Sequence, residues 1–268
     1  MLVENGTNLF TPQAAQELGL ALYQAEATQQ PIDPLTARFP AMTPAEAYMV
    51  QQVMLEKMMA GRKVLGRKVG LTSKAMQVML GVDQPDYGVL SDNMLVEDGG
   101  DCRLDELIQP KVEPEIAFVL SKDLTGPGLT TGDVLAATEY VTPALEIVDS
   151  RISNWKIKLA DTIADNASSA RYVLGKNRVA PGNLDLRLVG MVMEKNGQLA
   201  DTGAGAAALG HPAAAVAWLG NKLAEFGVSL KAGEVILPGA LCRALEVTRG
   251  DMVLAEFGGL GQVSVRFV

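Results

Sequence analysis

Histidine is nearly missing from this sequence; His211 is the only one. That excludes mechanisms needing two histidines, such as a His-rich zinc site. Cysteine is almost as scarce. Cys102 and Cys242 stand far apart with no CxxC spacing, so neither a disulfide framework nor a thiolate zinc site is expected. No G-x-S-x-G pattern occurs, which removes the nucleophile-elbow hydrolases. Aromatics make up only 5%, so the core must be built from Ala, Val, Leu and the 12 Met. No apolar run is long enough to span a membrane, because the Ala-rich stretch near residue 206 is broken by His211 and Pro212. Met1 to Phe10 lacks a basic stretch followed by an apolar one. No signal peptide is read, and a cytoplasmic protein is expected. Positive charge is in deficit, 23 Lys and Arg against 31 Asp and Glu, for a net −8. This argues against nucleic acid, whose binding depends on neutralising phosphates. It gives no support to an anionic membrane surface. A small anionic ligand stays open, since a few local cations or a metal can attract it.

What is present suffices for a sizeable core: 48% hydrophobic and 20% charged residues in a chain of 268. That length suits one large domain, or a main domain with an appendage. The first eighty residues read as helical. Thr11-Pro12 is a cap followed by proline at the first helical position, and helical spacing runs through Ala27. Pro31, Pro34 and Pro40 mark a loop. Thr43-Pro44-Ala45-Glu46 is a capping box, and Val50, Met54 and Met58 follow at four-residue steps before Gly61. Beyond residue 62 the texture changes. Val64 to Val69 reads as a strand and Thr72 to Leu80 as a short helix, with further helices near 131–139 and 212–226 among several strands. Lys195-Asn196-Gly197 signals a hairpin turn. The chain ends in alternation, with Val263, Val265 and Phe267 against Ser264 and Arg266. Regular βαβ alternation and internal repeats are absent. The expectation is an α+β protein, with a helical segment over 1–80 packed on a strand-rich domain over 81–268.

The most informative stretch is Lys111-Val112-Glu113-Pro114-Glu115-Ile116-Ala117-Phe118. It runs as an apolar strand but begins with two acids two positions apart. In a strand such residues share a face, so Glu113 and Glu115 project together. Glu146 sits between Leu145 and Ile147 in a second apolar segment. A carboxylate in that company is costly unless paired or metal-bound. Mg²⁺ or Mn²⁺ would resolve the repulsion of three converging acids. A solvated acid pair and a Glu reaching a nearby cation remain the alternatives.

Other residues are candidates on weaker grounds. Arg67 and Lys68 lie on one strand and face opposite sides, so one of them can point inward. A partly buried Lys68 can serve as acid/base or anchor a carboxylate. Asp86, in the turn sequence Gln84-Pro85-Asp86-Tyr87-Gly88, is either a proton-transfer group or a turn former. Asp161 to Ser169 is a polar run able to present side chains and amides to a ligand, or equally a capped turn. Gly203-Ala204-Gly205-Ala206-Ala207-Ala208 fits a dinucleotide pattern, but a hairpin precedes it and its acid, Glu225, falls in a helix. No nucleotide role is expected there. His211, in Gly210-His211-Pro212, is read as a helix start.

Taken together and in order, these motifs resemble the 2-hydroxypentadienoate (2-keto-4-pentenoate) hydratases of the fumarylacetoacetate hydrolase-like superfamily. The resemblance runs from about Ala45 to Val268. It is carried by Gly66-Arg67-Lys68-Val69-Gly70-Leu71-Thr72-Ser73, Gln84-Pro85-Asp86-Tyr87-Gly88, Pro110 to Ala117, Pro143-Ala144-Leu145-Glu146 and Asp165-Asn166-Ala167-Ser168. It implies a mixed β-roll or barrel behind a helical segment. It implies Glu113, Glu115 and Glu146 as ligands of Mg²⁺ or Mn²⁺, and Lys68 and Asp86 as the proton-transfer pair. Arg67, Leu71, Tyr87, Ser168 and Gly239 are implied substrate-side residues. Pro238 stands where superfamily members often carry Thr or Ser, so one hydroxyl contact is missing. The implied reaction adds water to 2-hydroxypenta-2,4-dienoate, or a substituted analogue, giving 4-hydroxy-2-oxopentanoate in meta-cleavage degradation of aromatic compounds. The nearest rival is a 4-oxalocrotonate decarboxylase; such enzymes tend to be apolar at the positions of Arg67 and Asp86. A homo-oligomer is implied, as is a complex with such a decarboxylase.

Overall fold

The computed structural model describes residues 3–4, 7–8, 10–74, 77–78 and 81–268. Helix α1 (Pro12–Thr28) starts where the cap predicted it, with the Thr11 hydroxyl accepting the Ala14 N–H at 3.1 Å. After α2 (Leu35–Arg38), α3 (Pro44–Met58) opens on a complete capping box. The Glu46 carboxylate accepts the Thr43 N–H at 2.7 Å, and the Thr43 hydroxyl accepts the Glu46 N–H at 3.3 Å. α1 and α3 meet at Gly19, where a Cβ would lie 2.6 Å from the Cβ of Val53. The later helices are α4 (Thr131–Ala137), α5 (Leu159–Ala164) and α6 (Pro212–Ala224). α4 stops two residues short of the expected 139 because Thr138 already begins a strand. The expected helix over Thr72 to Leu80 falls partly outside the described residues.

The strands, in chain order, are β1 (Val3–Glu4), β2 (Thr7–Asn8), β3 (Val64–Gly70), β4 (Asp86–Ser91), β5 (Leu95–Val96), β6 (Asp101–Cys102), β7 (Lys111–Leu120) and β8 (Thr138–Val148). They continue with β9 (Ser169–Leu174), β10 (Gly190–Lys195), β11 (Gln198–Ala204), β12 (Val235–Leu237), β13 (Leu245–Glu246), β14 (Met252–Phe257) and β15 (Gly261–Phe267). The larger sheet runs β4-β3-β12-β7-β8-β9-β5, with β13 against the start of β7. It is mixed, since β12–β3 and β5–β9 are parallel and the other pairs antiparallel. A smaller sheet runs β11-β10-β14-β15-β6. Asn196 and Gly197 turn the β10–β11 hairpin with φ of 55° and 73°, the left-handed pair that such a turn requires. Strand β3 belongs to the large sheet, so the sheet begins at residue 64.

The large sheet is buried on both faces, and residue parity decides which core each side chain joins. Val112, Ile116 and Phe118 of β7, with Leu145 and Ile147 of β8, join the core shared with the small sheet and α6. Ala117 and Ala144 belong to a second core, made with Leu18, Leu22, Val50 and Met54 of the N-terminal helices. The odd residues of β7 and the even residues of β8 therefore face the helical layer. Glu113, Glu115 and Glu146 have that parity, so they lie on the helix-facing side, where apolar packing gives way to a cavity.

Candidate metal and proton-transfer site

Antiparallel pairing brings the acids together. Glu113 on β7 stands directly opposite Glu146 on β8, and Glu115 is opposite Ala144, diagonal to Glu146. One carboxylate oxygen from each of the three lies within 4.8 Å of the others. Glu115 and Glu146 are fully buried. Glu115 Oε2 accepts the Gly239 N–H at 2.7 Å, while its Oε1 and the Oε1 of Glu146 have no donor. Gly239 has a φ of 114°, and a Cβ there would lie 2.0 Å from the Thr72 hydroxyl oxygen, so only glycine delivers this N–H. Burial drives all three carboxyls up: Glu113 to about 7, Glu115 well above its ordinary value, and Glu146 upward against the pull of Lys68. Orphaned buried oxygens converging from three acids fit a hard divalent cation with oxygen ligands. Glu113, Glu115 and Glu146 would hold it.

Lys68 and Asp86 come from the neighbouring hairpin. Lys68 is opposite Gly88 and Gly70 is opposite Asp86, so both functional side chains fall on one face of β3 and β4. The Lys68 ammonium lies 3.2 Å from Glu146 Oε2 and donates to the Ala167 carbonyl at 3.0 Å. Burial alone would pull its pKa down; Glu146, Asp86, Glu113 and Glu115 outweigh that and push it up, so it stays charged. Asp86 is buried, and its Oδ2 accepts from the Thr162 hydroxyl at 2.8 Å. Its Oδ1 has no partner. Burial raises its pKa against the lowering pull of Lys68 and Thr162, so this carboxyl holds a proton more readily than a free aspartic acid does.

The polar run identified in the sequence becomes a strained wall. Asn166, Ala167 and Ser168 have φ of 54°, 49° and 55°, three successive left-handed residues without glycine. Each such residue costs roughly 1–3 kcal/mol, and surrounding contacts must hold it. The Asn166 side chain supplies two of them, accepting the Val89 N–H at 2.8 Å and donating to the Val89 carbonyl at 3.1 Å. Beneath the loop, Arg151 donates through Nε to Asp165 at 2.6 Å, and Ser168 donates to Asp165 at 3.1 Å. The result aims the Ala167 carbonyl at Lys68.

Lys68, Asp86, Glu113, Leu71 and Ser168 line one cavity of about 230 Å³. Gly239 touches the site through its N–H to Glu115. Arg67 and Tyr87, expected on the substrate side, are not there. Strand alternation turns both to the opposite face, where they line a separate cavity with Tyr48 and Phe226. Tyr87 stacks on Tyr48 with ring centroids 4.6 Å apart, and Arg67 lies 3.8 Å from Glu234. The alternation that separates Arg67 from Lys68 in the sequence already required this for one of them. Thr162, from the polar run noted in the sequence, also lines the site cavity, as do Lys111 and Trp155, for which no site role was expected. Lys111 was legible, since it lies two residues before Glu113 and shares its face. Trp155 ends a single 3-10 turn, Ser153–Trp155, and no local pattern points to it. His211 caps α6, its Nδ1 accepting the Ala213 N–H at 3.0 Å, as read from the sequence. Gly203 and Gly205 are glycines for packing: Cβ atoms there would lie 2.1 and 1.8 Å from the Leu241 and Leu186 carbonyl oxygens.

Gly70 offers a test of this arrangement. A Cβ at this position would lie 2.2 Å from Asp86 Oδ1 and 3.4 Å from the Lys68 ammonium. Gly70→Ala should therefore rotate Asp86 away and lower kcat at least about tenfold. The melting temperature should fall only by the few degrees that ordinary overpacking costs. Full activity in this variant would contradict the placement of Asp86.

An α+β fold with three converging glutamates, a lysine and a protonatable aspartate is the equipment of a metal-assisted acid/base enzyme. Residues 63–268 match the family described as fumarylacetoacetate (FAA) hydrolase C-terminal, and the chain belongs to that family. It is 50% identical over 252 residues to the 2-hydroxyhexa-2,4-dienoate hydratase of Comamonas testosteroni, covering 93% of this chain and 96% of that protein. It is 54% identical over 215 residues to a 2-hydroxypent-2,4-dienoate hydratase of Pseudomonas putida, covering 80% and 97%. The solved structure of the 4-oxalocrotonate decarboxylase from Pseudomonas putida G7, complexed with magnesium and adipate, superposes with a TM-score of 0.94. The two are 42% identical, over 98% of this chain and all of that one. Among the described residues, no helix is long and apolar enough to cross a membrane.

Proposed function

We propose that this protein is a divalent-metal-dependent hydratase of 2-hydroxypenta-2,4-dienoate or a substituted analogue. The observation that carries it is the convergence of Glu113, Glu115 and Glu146 beside a charged Lys68, with Glu113, Lys68 and the protonatable Asp86 lining one cavity. The two hydratase relatives above support the same chemistry. When bound, the metal supplies Lewis-acid polarisation of the 2-oxygen and the adjoining carboxylate.

The protein's own residues handle the protons. Ketonisation removes the proton from the enol hydroxyl and delivers one to C5, giving an α,β-unsaturated 2-oxo acid. Water then adds its hydroxyl to C4 and a proton to C3, giving the 4-hydroxy-2-oxo acid. Asp86 is the group suited to give and take protons, because burial holds its carboxyl protonated more readily than usual. Lys68 remains cationic, and two of its three donors face Glu146 and Ala167. It supplies fixed positive charge beside the reacting enol. Thr162 orients Asp86. Leu71, Val148 and Ile157 add apolar wall, which suits the carbon chain of a diene.

The deciding experiment follows loss of dienol absorbance with and without EDTA. EDTA should abolish turnover, and Mg²⁺ should restore it, with Mn²⁺ as the comparison ion. Activity indifferent to chelation would refute metal dependence. The decarboxylase alternative rests on the structural neighbour. It predicts CO₂ release from 2-oxo-3-hexenedioate, which the hydratase assignment does not. A cytoplasmic homo-oligomer, able to associate with a decarboxylase of the same pathway, is part of the proposal.

A further inference from the structure

We infer that Lys111 reads the far end of the substrate, pairing with a second carboxylate on chains that carry one. The inference rests on the proposed 2-oxo acid site at the glutamates. Lys111 opens β7 two residues before Glu113 and shares its face, as the common cavity wall shows. Residues two apart in a strand are separated by about 7 Å. An extended six-carbon acid has a comparable span when its 2-oxo end sits at the glutamates.

The electrostatic setting favours exchange. Among the described residues lining this cavity, Lys68 and Lys111 are the cations, and Lys68 is committed to Glu146. Lys111 instead meets Glu246 at 3.4 Å, its cross-strand partner on β13, whose side chain is 82% exposed. An exposed pair of this kind contributes little, so a carboxylate arriving inside the cavity can replace Glu246. The ammonium also lies 5.1 Å from the centroid of the Trp155 ring, which fixes it at the cavity wall. Around it the wall is apolar, with Val148, Ile157 and Ala244. No other lining group there could neutralise a distal carboxylate. The solved decarboxylase relative is itself complexed with adipate, a six-carbon diacid.

The test compares 2-oxoadipate with 2-oxohexanoate, which differ only in the distal carboxylate. Their binding to the Mg²⁺-loaded protein is measured by calorimetry. Wild type should prefer the diacid at least about tenfold, the factor expected of a hydrogen bond to a charged group. Lys111→Met should bring the ratio close to one. Equal weakening of both ligands would make Lys111 a general anion anchor and overturn the inference, as would an unchanged ratio. If Lys111→Met does not fold, Glu246→Gln decides: it should widen the diacid preference, and an unchanged or narrower ratio overturns the inference. Calorimetry needs no turnover. A protein that discriminates as expected but does not hydrate the dienoate refutes the hydratase assignment alone. One that hydrates it without discriminating refutes the role of Lys111 alone.

Discussion

Glu146→Gln should lower kcat/KM by about a thousandfold, the factor that several kcal/mol of lost charge stabilisation gives. The substitution is nearly isosteric, so the fold should persist. Glu146 is fully buried on β8, and its Oε1 has no donor. In the metal-free protein the substitution removes one of three clustered acids but also the ion-pair partner of Lys68 at 3.2 Å, so the two effects oppose and the melting temperature should change little. Metal binding to the native state stabilises by mass action, so Mg²⁺ should raise the melting temperature of wild type but barely that of the variant. Acidity gives a further readout. Burial raises Glu113 to about 7 and also raises Glu115 and Glu146, whereas the unfolded chain titrates near 4.5. Between those values the folded, metal-free protein holds more protons than the unfolded one. The contribution of these acids to stability is therefore present at low pH and lost as pH rises through about 7. The variant should show a shallower dependence over that window. Wild-type turnover by Glu146→Gln, or an undiminished Mg²⁺ shift, would remove Glu146 from the ligand set.

Lys68→Met should also abolish turnover, by at least about a hundredfold, through loss of the fixed cation beside the reacting enol. Its signature differs from that of Glu146→Gln. Lys68 is buried and faces four carboxyls, and it lies 3.2 Å from Glu146. Deleting one partner of a buried pair leaves the other uncompensated, at a cost of about 3–5 kcal/mol. The metal-free variant should therefore melt several degrees lower at neutral pH, and recover part of the loss as the glutamates protonate on acidification. Mg²⁺ should still bind and should stabilise the variant at least as much as wild type, because the competing ammonium is gone. Calorimetric Mg²⁺ titration beside thermal melts checks this. Loss of Mg²⁺ binding in Lys68→Met would mean that Lys68 organises the metal site rather than the protons.

How much of this could be read in the chain depends on range. Glu113 and Glu115 were legible because strand parity acts over two residues, and Glu146 because its neighbours are apolar. The caps at Thr11, Thr43 and His211 were legible for the same local reason. Sheet order was not, because the parallel pairings of β12 with β3 and β15 with β6 join segments distant in sequence. Thr162 enters the site from α5, and the Ala167 carbonyl from a loop of three left-handed residues anchored by contacts to Val89 on β4 and to Arg151, both distant in sequence. Arg67 and Tyr87 adjoin Lys68 and Asp86 in sequence, and strand alternation therefore turns them to the opposite face, away from the site.

The three glutamates belong to one hairpin, β7–β8, whereas Lys68 and Asp86 belong to another, β3–β4. Grip and chemistry are thus carried by different strand pairs of one sheet, joined through β12 and touching where Lys68 meets Glu146. Changes in the first should alter whether a 2-oxo acid is held at all. Changes in the second should leave it held and alter what becomes of it. On such a scaffold, new reactions would arise by rewriting β3–β4 while β7–β8 stays as it is.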